Sequence, residues 1–402
     1  MTSAIVSPEL LAETITIRRD LHAHPELSFE EERTAKVVAH LLRELGLTVY
    51  DGIGRTGVVG VLSGSRPGPT IMLRADMDAL PMQEVSEASY RSGTDGISHA
   101  CGHDAHVAML LGAAKVLRGR VSELRGRIAF VFQPSEEAGG GAQAMLDDGL
   151  IEKFAIERVY GLHVITALLS AQTTESIFRS GVFALRAGPL MAGADSFDLV
   201  IEGRGGHGAA PHLCVDPIVI AAEVITALQR IISREIDPVD AAVLTIGAIN
   251  GGSTYNIISP TVSLKGAIRW FSDRTRDQIV QRVEQIAKHV CEASNATCTV
   301  SWFPPCPATI NDDREAAFVE RQLKKTFGPE RVVESPLVML SEDFSCFLHV
   351  VPGCFYFLGA GSATHAHPNH HPAFDIDENA MAAGIEAHVA IALAASSAIA
   401  LS

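Results

Sequence analysis

Between Ser98 and His106 the chain reads S-H-A-C-G-H-D-A-H, nine residues that hold three histidines, a cysteine and an aspartate. Thiolates and neutral imidazoles are ligands for divalent metals. Cys101 and His103, two positions apart, can both point into one site. A thiolate suits Zn²⁺ well, whereas Mn²⁺ favours oxygen and nitrogen. Other segments carry matching chemistry. T-I-M-L-R runs into A-D-M-D, with Asp76 and Asp78, and R-I-A-F-V-F runs into Q-P-S-E-E, with Glu136 and Glu137. V-Y-G-L-H-V carries His163, and C-F-Y-F-L-G leads to H-A-H-P-N-H-H-P at 365–372. Singly, each has an ordinary explanation: a buried histidine is usually a hydrogen-bonded core residue, and an aspartate after a strand is usually a cap. Together they bring carboxylates, imidazoles and a thiol to one rim, which points to a polynuclear metal site. Two adjacent carboxylates at a buried rim repel, and a divalent cation offsets that repulsion. The pair can then divide the work of hydrolysis. One glutamate ligates the metal; the other takes the proton of a water whose pKa the metal lowers to roughly 7, and hands it to a leaving amine.

These donors need a scaffold that gathers them, and open α/β sheets collect functional groups at the carboxyl ends of their strands. Apolar spacing predicts helices over Pro8–His22 and Glu30–Leu45, the second ending at Gly46. Strands are expected at Gly57–Leu62, Thr70–Arg74, Arg127–Phe132 and Val159–Val164, with a helix from about His106 to Leu117. The alternation indicates an α/β/α domain with a mixed sheet covered on both faces. The rhythm then changes. Phe197–Glu202, Val243–Ile249, Val262–Phe271 and Thr297–Phe303 read as strands, with helices at Asp216–Ile232 and Arg274–Ala293. This is the β-α-β-β-α-β order of a ferredoxin-like unit. Gly/Pro-containing stretches bound it, so residues 188–303 are expected to form a domain inserted into a discontinuous one made of 1–187 and 304–402. A helix at Arg314–Phe327, a strand at Gly353–Leu358 and an Ala-rich packed helix from His388 complete the chain.

Composition narrows the function. A net charge of −15 and the absence of a Lys/Arg cluster argue against nucleic acid. The Ala-rich C-terminal stretch, broken by serines, does not read as a membrane span. The N-terminus lacks a basic segment followed by an apolar one, so the cytoplasm is the expected location. Seven cysteines, an odd number with no C-x-x-C, do not suggest a disulfide framework or a dithiol redox centre.

Taken in order, R-R-D-L-H-A-H-P-E-L-S-F-E-E, R-A-D-M-D-A-L-P-M, H-A-C-G-H-D-A-H, Q-P-S-E-E, G-R-G-G-H-G-A-A-P-H and E-D-F at 342–344 resemble one family over nearly the whole chain. It is the family of metal-dependent amidohydrolases and exopeptidases that includes aminoacylase and carboxypeptidase G. The branch most similar contains hippurate hydrolase, N-acyl-L-amino acid amidohydrolases and the auxin-conjugate hydrolases. The resemblance implies two divalent ions per chain, Zn or Mn, with Co or Ni as further options. It implies that Cys101 bridges them and that His103, Glu137, His163 and His370 complete the ligands, with His371 the alternative to His370. Glu136 is then the general base and Asp78 the supporting carboxylate. The inserted domain becomes a lid and dimerisation domain. There His207 stabilises the oxyanion, and Asn256 and Arg269 meet the substrate carboxylate. Asp104 and His106 fall to helix-start or supporting positions, and His99 is left without a role. The implied reaction is hydrolysis of N-acyl-L-amino acids, such as hippurate-like or N-acetyl conjugates, to a carboxylic acid and an amino acid. A dipeptidase or carboxypeptidase with the same site is the alternative. The implied partner is that small substrate, in a homo-oligomer, dimer or tetramer.

Overall fold

The computed structural model describes residues 5–167 and 178–397. The start of the N-terminal stretch read for a leader, residues 1–4, lies outside them. The chain forms two compact units, one of Met1–Leu190, Ile310–Pro336 and Asp343–Ser402, the other of Met191–Thr309 and Leu337–Glu342.

The first unit is built on an eight-stranded sheet. Its strands are β1 (Thr48–Ile53), β2 (Gly57–Ser63), β3 (Arg66–Asp76), β4 (Arg125–Gln133), β5 (Ile156–Ile165), β6 (Phe183–Leu185), β7 (Val332–Glu334) and β8 (Gly353–Gly359). They lie in the order β1-β2-β4-β3-β5-β8-β6-β7. The centre, β4-β3-β5-β8, is parallel, while β1-β2, β2-β4 and β8-β6 are antiparallel, so the sheet is mixed. Side chains on β3 alternate across it. Ile71, Leu73 and Ala75 join the main core cluster, while Met72 and Arg74 between them are equally buried. Burial on both faces is why the central strands read as continuous apolar runs.

Five longer helices accompany this sheet: α1 (Pro8–Ala23), α2 (Glu32–Glu44), α3 (His103–Gly119), α4 (Asp313–Phe327) and α5 (Ala380–Ser397). Ser7 caps α1 by accepting from the Leu10 N–H, with Pro8 in the first turn, where its missing N–H costs nothing. α5 is long and apolar enough to cross a membrane by composition, but Met381, Ile385, Val389 and Ile391 are buried in the core of this unit. It begins eight residues before the expected His388.

Two other boundaries matter for the site. β3 continues past Arg74 to Asp76, so Asp76 sits on the strand itself. α3 starts at His103 rather than near His106, because Gly102, at φ 91°, takes the left-handed turn that opens the helix. The Gly139–Gly141 run is a tight entry to a short helix, Gly141–Asp147. Strand β1, the short strands β6 and β7, and this helix were not expected from the sequence.

In the second unit four antiparallel strands lie in the order Val243–Gly251, Thr261–Trp270, Gly193–Glu202, Thr297–Trp302. Helices Pro217–Arg230 and Asp273–Ala293 share an apolar core with them, which includes Leu199, Val224, Leu264 and Val283. The chain order is the split β-α-β arrangement. Residues 337–342 also belong here, with the Ala192 N–H donating to the Val338 carbonyl at 2.9 Å.

Candidate metal centre

β3 sets the floor of the site. Arg74 and Asp76, two apart and both fully buried, are paired at 2.7 Å, and Arg74 Nε also donates to Gln133 Oε1 at 2.8 Å. Burial alone would raise the Asp76 carboxyl, but Arg74, His103 and His106 together hold it well below the usual carboxylate range. Asp343, from the E-D-F motif, accepts from Gln133 Nε2 at 2.6 Å and from the Ala142 N–H at 3.0 Å. Burial pushes its pKa up to about 6 against the pull of Arg74.

Asp78 governs the two glutamates through their backbone. Its Oδ1 accepts the Glu136 N–H at 3.0 Å; its Oδ2 accepts the Glu137 N–H at 2.9 Å and the Ser28 hydroxyl at 2.7 Å. The turn that brings β4 into this pair passes through Ser135, a non-glycine residue at φ 49°, whose N–H donates to buried Glu31 at 2.8 Å. A strained turn over-determined by such bonds is a feature that clusters at functional sites.

Three imidazoles meet these acids. His103 Nδ1 donates to the Asp78 carbonyl at 2.9 Å, which leaves Nε2 as the lone-pair nitrogen. That Nε2 lies 3.5 Å from Asp76 Oδ2 and 3.8 Å from Glu137 Oε1. His163 Nδ1 donates to the Val164 carbonyl at 2.7 Å, and its Nε2 lies 3.4 Å from Cys101 Sγ. His370, held in a left-handed conformation at φ 64°, brings Nε2 to 3.3 Å from Glu137 Oε1. Its neighbour His371 instead accepts from the Ala373 N–H at 3.0 Å and stacks on His367. The nearby Cys101 and Glu137 raise the His370 pKa to about 10, while burial pushes the Cys101 thiol up.

The cluster fits a cation by its orphaned atoms. His103 Nε2 and Glu137 Oε1 are buried with no hydrogen-bond partner, a costly condition that a ligated metal would relieve. The donor atoms of Cys101, His103 and Glu137 all lie within 4.8 Å of one another, as do those of Asp76, His103, His106 and His163. His106 is nonetheless not a free donor. Its Nδ1 bonds Asp76 Oδ1 at 2.5 Å and its Nε2 accepts the Val164 N–H at 2.8 Å.

Asp104 is drawn into a separate buried network. It pairs with Arg18 and His22, each at 2.7 Å, and Arg18 continues to Asp375 and Glu378. His99 is buried, with both ring nitrogens lacking hydrogen-bond partners. Sequence reasoning missed Ser28, Glu31, Arg74 and Asn369. For Ser28 and Glu31 the signal was present, as polar residues in H-P-E-L-S-F-E-E beyond the first helix; nothing marked Arg74 as more than the end of a strand.

His207, Asn256 and Arg269 lie in the second unit. His207 pairs in register with Ile257, and the Gly208 N–H donates to the Asn256 carbonyl at 2.9 Å, so His207 and Asn256 are neighbours. His207 Nδ1 accepts from the Ala209 N–H at 3.0 Å, which leaves Nε2 to carry the hydrogen of a neutral ring. Arg269 is part-buried and donates to the Ser341 hydroxyl at 3.0 Å. Burial lowers its pKa, and no carboxylate is paired with it among the described residues.

The fold and this cluster define a metal-dependent hydrolase. The chain belongs to peptidase family M20/M25/M40, whose model matches residues 72–394. It is 40% identical to thermostable carboxypeptidase 2 of Saccharolobus solfataricus, over 94% of both chains. It is also 40% identical to the N-acetyl-L-cysteine deacetylase of Bacillus subtilis, over 91% of this chain and 84% of that protein. Among solved structures it resembles the Bacillus subtilis YxeP protein, described as a dinuclear metal binding peptidase of the M20 family. That match has a TM-score of 0.81 and 31% identity, over 96% of this chain and 98% of the other.

Proposed function

We propose that the protein hydrolyses the amide bond of N-acyl-L-amino acids and releases a carboxylic acid and a free amino acid. The observation that carries this reading is Arg269, a part-buried guanidinium paired with a hydroxyl and, among the described residues, with no acid, as a receptor for a free carboxylate requires. Cys101, His103, Glu137, His163 and His370 would hold two divalent ions, Zn or Mn; Co or Ni are further options. When bound, such ions supply the positive charge that acidifies water and polarises a carbonyl. Glu136 takes the proton of the attacking water and returns it to the leaving nitrogen. Asp78 fixes Glu136 through its N–H. His207, a donor at Nε2, stabilises the oxyanion, and Asn256 sits with Arg269 at the carboxylate. The second unit serves as lid and oligomer contact, in a dimer or tetramer, and the enzyme works in the cytoplasm.

A second reading, a carboxypeptidase or dipeptidase, draws on the carboxypeptidase relative. A panel of N-acetyl, N-benzoyl and indoleacetyl amino acids with several dipeptides separates the two. The chelated chain would be assayed alone and with added Zn²⁺, Mn²⁺ or Co²⁺. Metal-dependent release from N-acyl amino acids is expected; release from dipeptides alone moves the reading to a peptidase. Glu136→Gln should lower kcat by roughly 10²–10⁴-fold. Retention of more than about a tenth of kcat would reassign the base.

A further inference from the structure

The donor segments meet at the backbone of Val164. Its N–H donates to His106 Nε2 at 2.8 Å, and its carbonyl accepts from His163 Nδ1 at 2.7 Å and from Asn369 Nδ2 at 3.2 Å. Asn369 Nδ2 also reaches the Cys101 carbonyl at 3.0 Å, and Asn369 directly precedes His370. On its other side, His106 Nδ1 bonds Asp76 Oδ1 at 2.5 Å. The His106 ring stacks on that of His103, with centroids 5.4 Å apart, and meets His163 edge-on at 4.5 Å. It is 1% exposed, so none of these bonds is shared with bulk water.

A backbone N–H can only donate, so His106 Nε2 must accept and Nδ1 must carry the hydrogen given to Asp76. The ring therefore has no nitrogen left for a cation. We propose that His106 is a positioning residue: through the Val164 backbone it holds His163, and with its ring fixed by Asp76 it packs against His103, keeping both in place to bind metal, while Asn369 ties Cys101 and His370 to the same stretch of backbone. Loss of such an orienting partner typically costs 10–100-fold in metal affinity. The inference rests on the ligands assigned under the proposed function.

The test compares His106→Gln, His106→Leu and Asn369→Ala in the full-length chain. Zn²⁺ affinity is measured on metal-stripped protein by competition with a chromophoric chelator. Bound metal per chain is counted by elemental analysis, and the melting temperature of the stripped protein reports the fold. A glutamine can accept from the Val164 N–H with its carbonyl and donate to Asp76 with its amide. It should stay within about threefold of wild-type affinity, while leucine, which can do neither, should lose about 10–100-fold. Wild-type affinity in His106→Leu would overturn the brace alone. Equal losses in both variants, with one fewer ion per chain, would overturn it by making His106 a ligand. If His106→Leu does not fold, Asn369→Ala decides: a loss of about tenfold or more at unchanged melting temperature supports the network, and wild-type affinity overturns it. A wild-type chain that takes up no Zn²⁺ would overturn the ligand assignment and the brace with it.

Discussion

Asp78→Asn separates the two glutamates. Asp78 receives the Glu136 N–H on Oδ1, and the Glu137 N–H with the Ser28 hydroxyl on Oδ2. An asparagine keeps one acceptor oxygen and replaces the other with an NH₂ that can only donate. The amide should turn its oxygen toward the Oδ2 side, where the two shorter bonds are made, and its NH₂ toward the Oδ1 side, which faces the Glu136 N–H and, at 3.3 Å, His103 Nδ1; His103 keeps its bond to the Asp78 carbonyl. A buried N–H left facing another donor costs about 1–3 kcal/mol. At about 1.4 kcal/mol per tenfold, a penalty of that size at Glu136, the proposed base, should lower kcat by about 5- to 150-fold. Glu137 keeps its acceptor, so metal content should stay near wild type. The assay is steady-state hydrolysis of the best N-acyl amino acid, with bound metal counted on the same preparation. A kcat within about threefold of wild type would refute the argument, since one unpaired buried donor alone should cost more. So would loss of metal at unchanged kcat per loaded chain, which would mean that Asp78 serves Glu137 instead.

Three further perturbations test other parts. Gly102→Ala forces a left-handed backbone at φ 91° and places a methyl 2.4 Å from Val164 Cγ2; strain and overpacking together should cost about 2–6 kcal/mol, and an unchanged thermal melt would contradict this. Burial disfavours the His22 imidazolium, but Asp104 and Glu84 overcome it and raise its pKa from 6.5 to about 9. A raised folded-state pKa stabilises fully below 6.5, and that contribution fades as pH rises through about 9. The melting temperature should therefore fall more steeply over this range in the wild type than in His22→Gln, and parallel profiles would count against it. Arg269→Met should raise KM about 10–100-fold for substrates with a free carboxylate and leave their carboxamide analogues little changed; equal effects on both would remove Arg269 from substrate recognition.

Much of the site was legible as motifs because its chemistry is local. Cys101 and His103 lie two residues apart at the start of α3, Glu136 and Glu137 are adjacent, and Asp76 and Asp78 lie at and just beyond the end of β3. Burial on both faces wrote the central strands as continuous apolar runs, so their carboxyl ends, and the residues placed there, could be read directly. Short strands such as β6 and β7 were not legible: three residues carry too little periodicity, and pairing with neighbours distant in sequence makes them strands.

What the sequence determined by itself is the inventory of donors and the order of elements that carries them, since residue type sets ligand chemistry and hydrophobic period sets helix or strand. What only the tertiary structure decided is how each donor is used. His103 and His106 are the same residue type three positions apart on one helix. Yet His103 is left with a bare buried Nε2, while His106 spends both nitrogens on Asp76 and Val164. Likewise His370 reaches Glu137 and His371 does not. An imidazole's role depends on which partners reach its two nitrogens. Those partners come from strands and loops far away in the chain, so the assignment exists only once the sheet has brought them together.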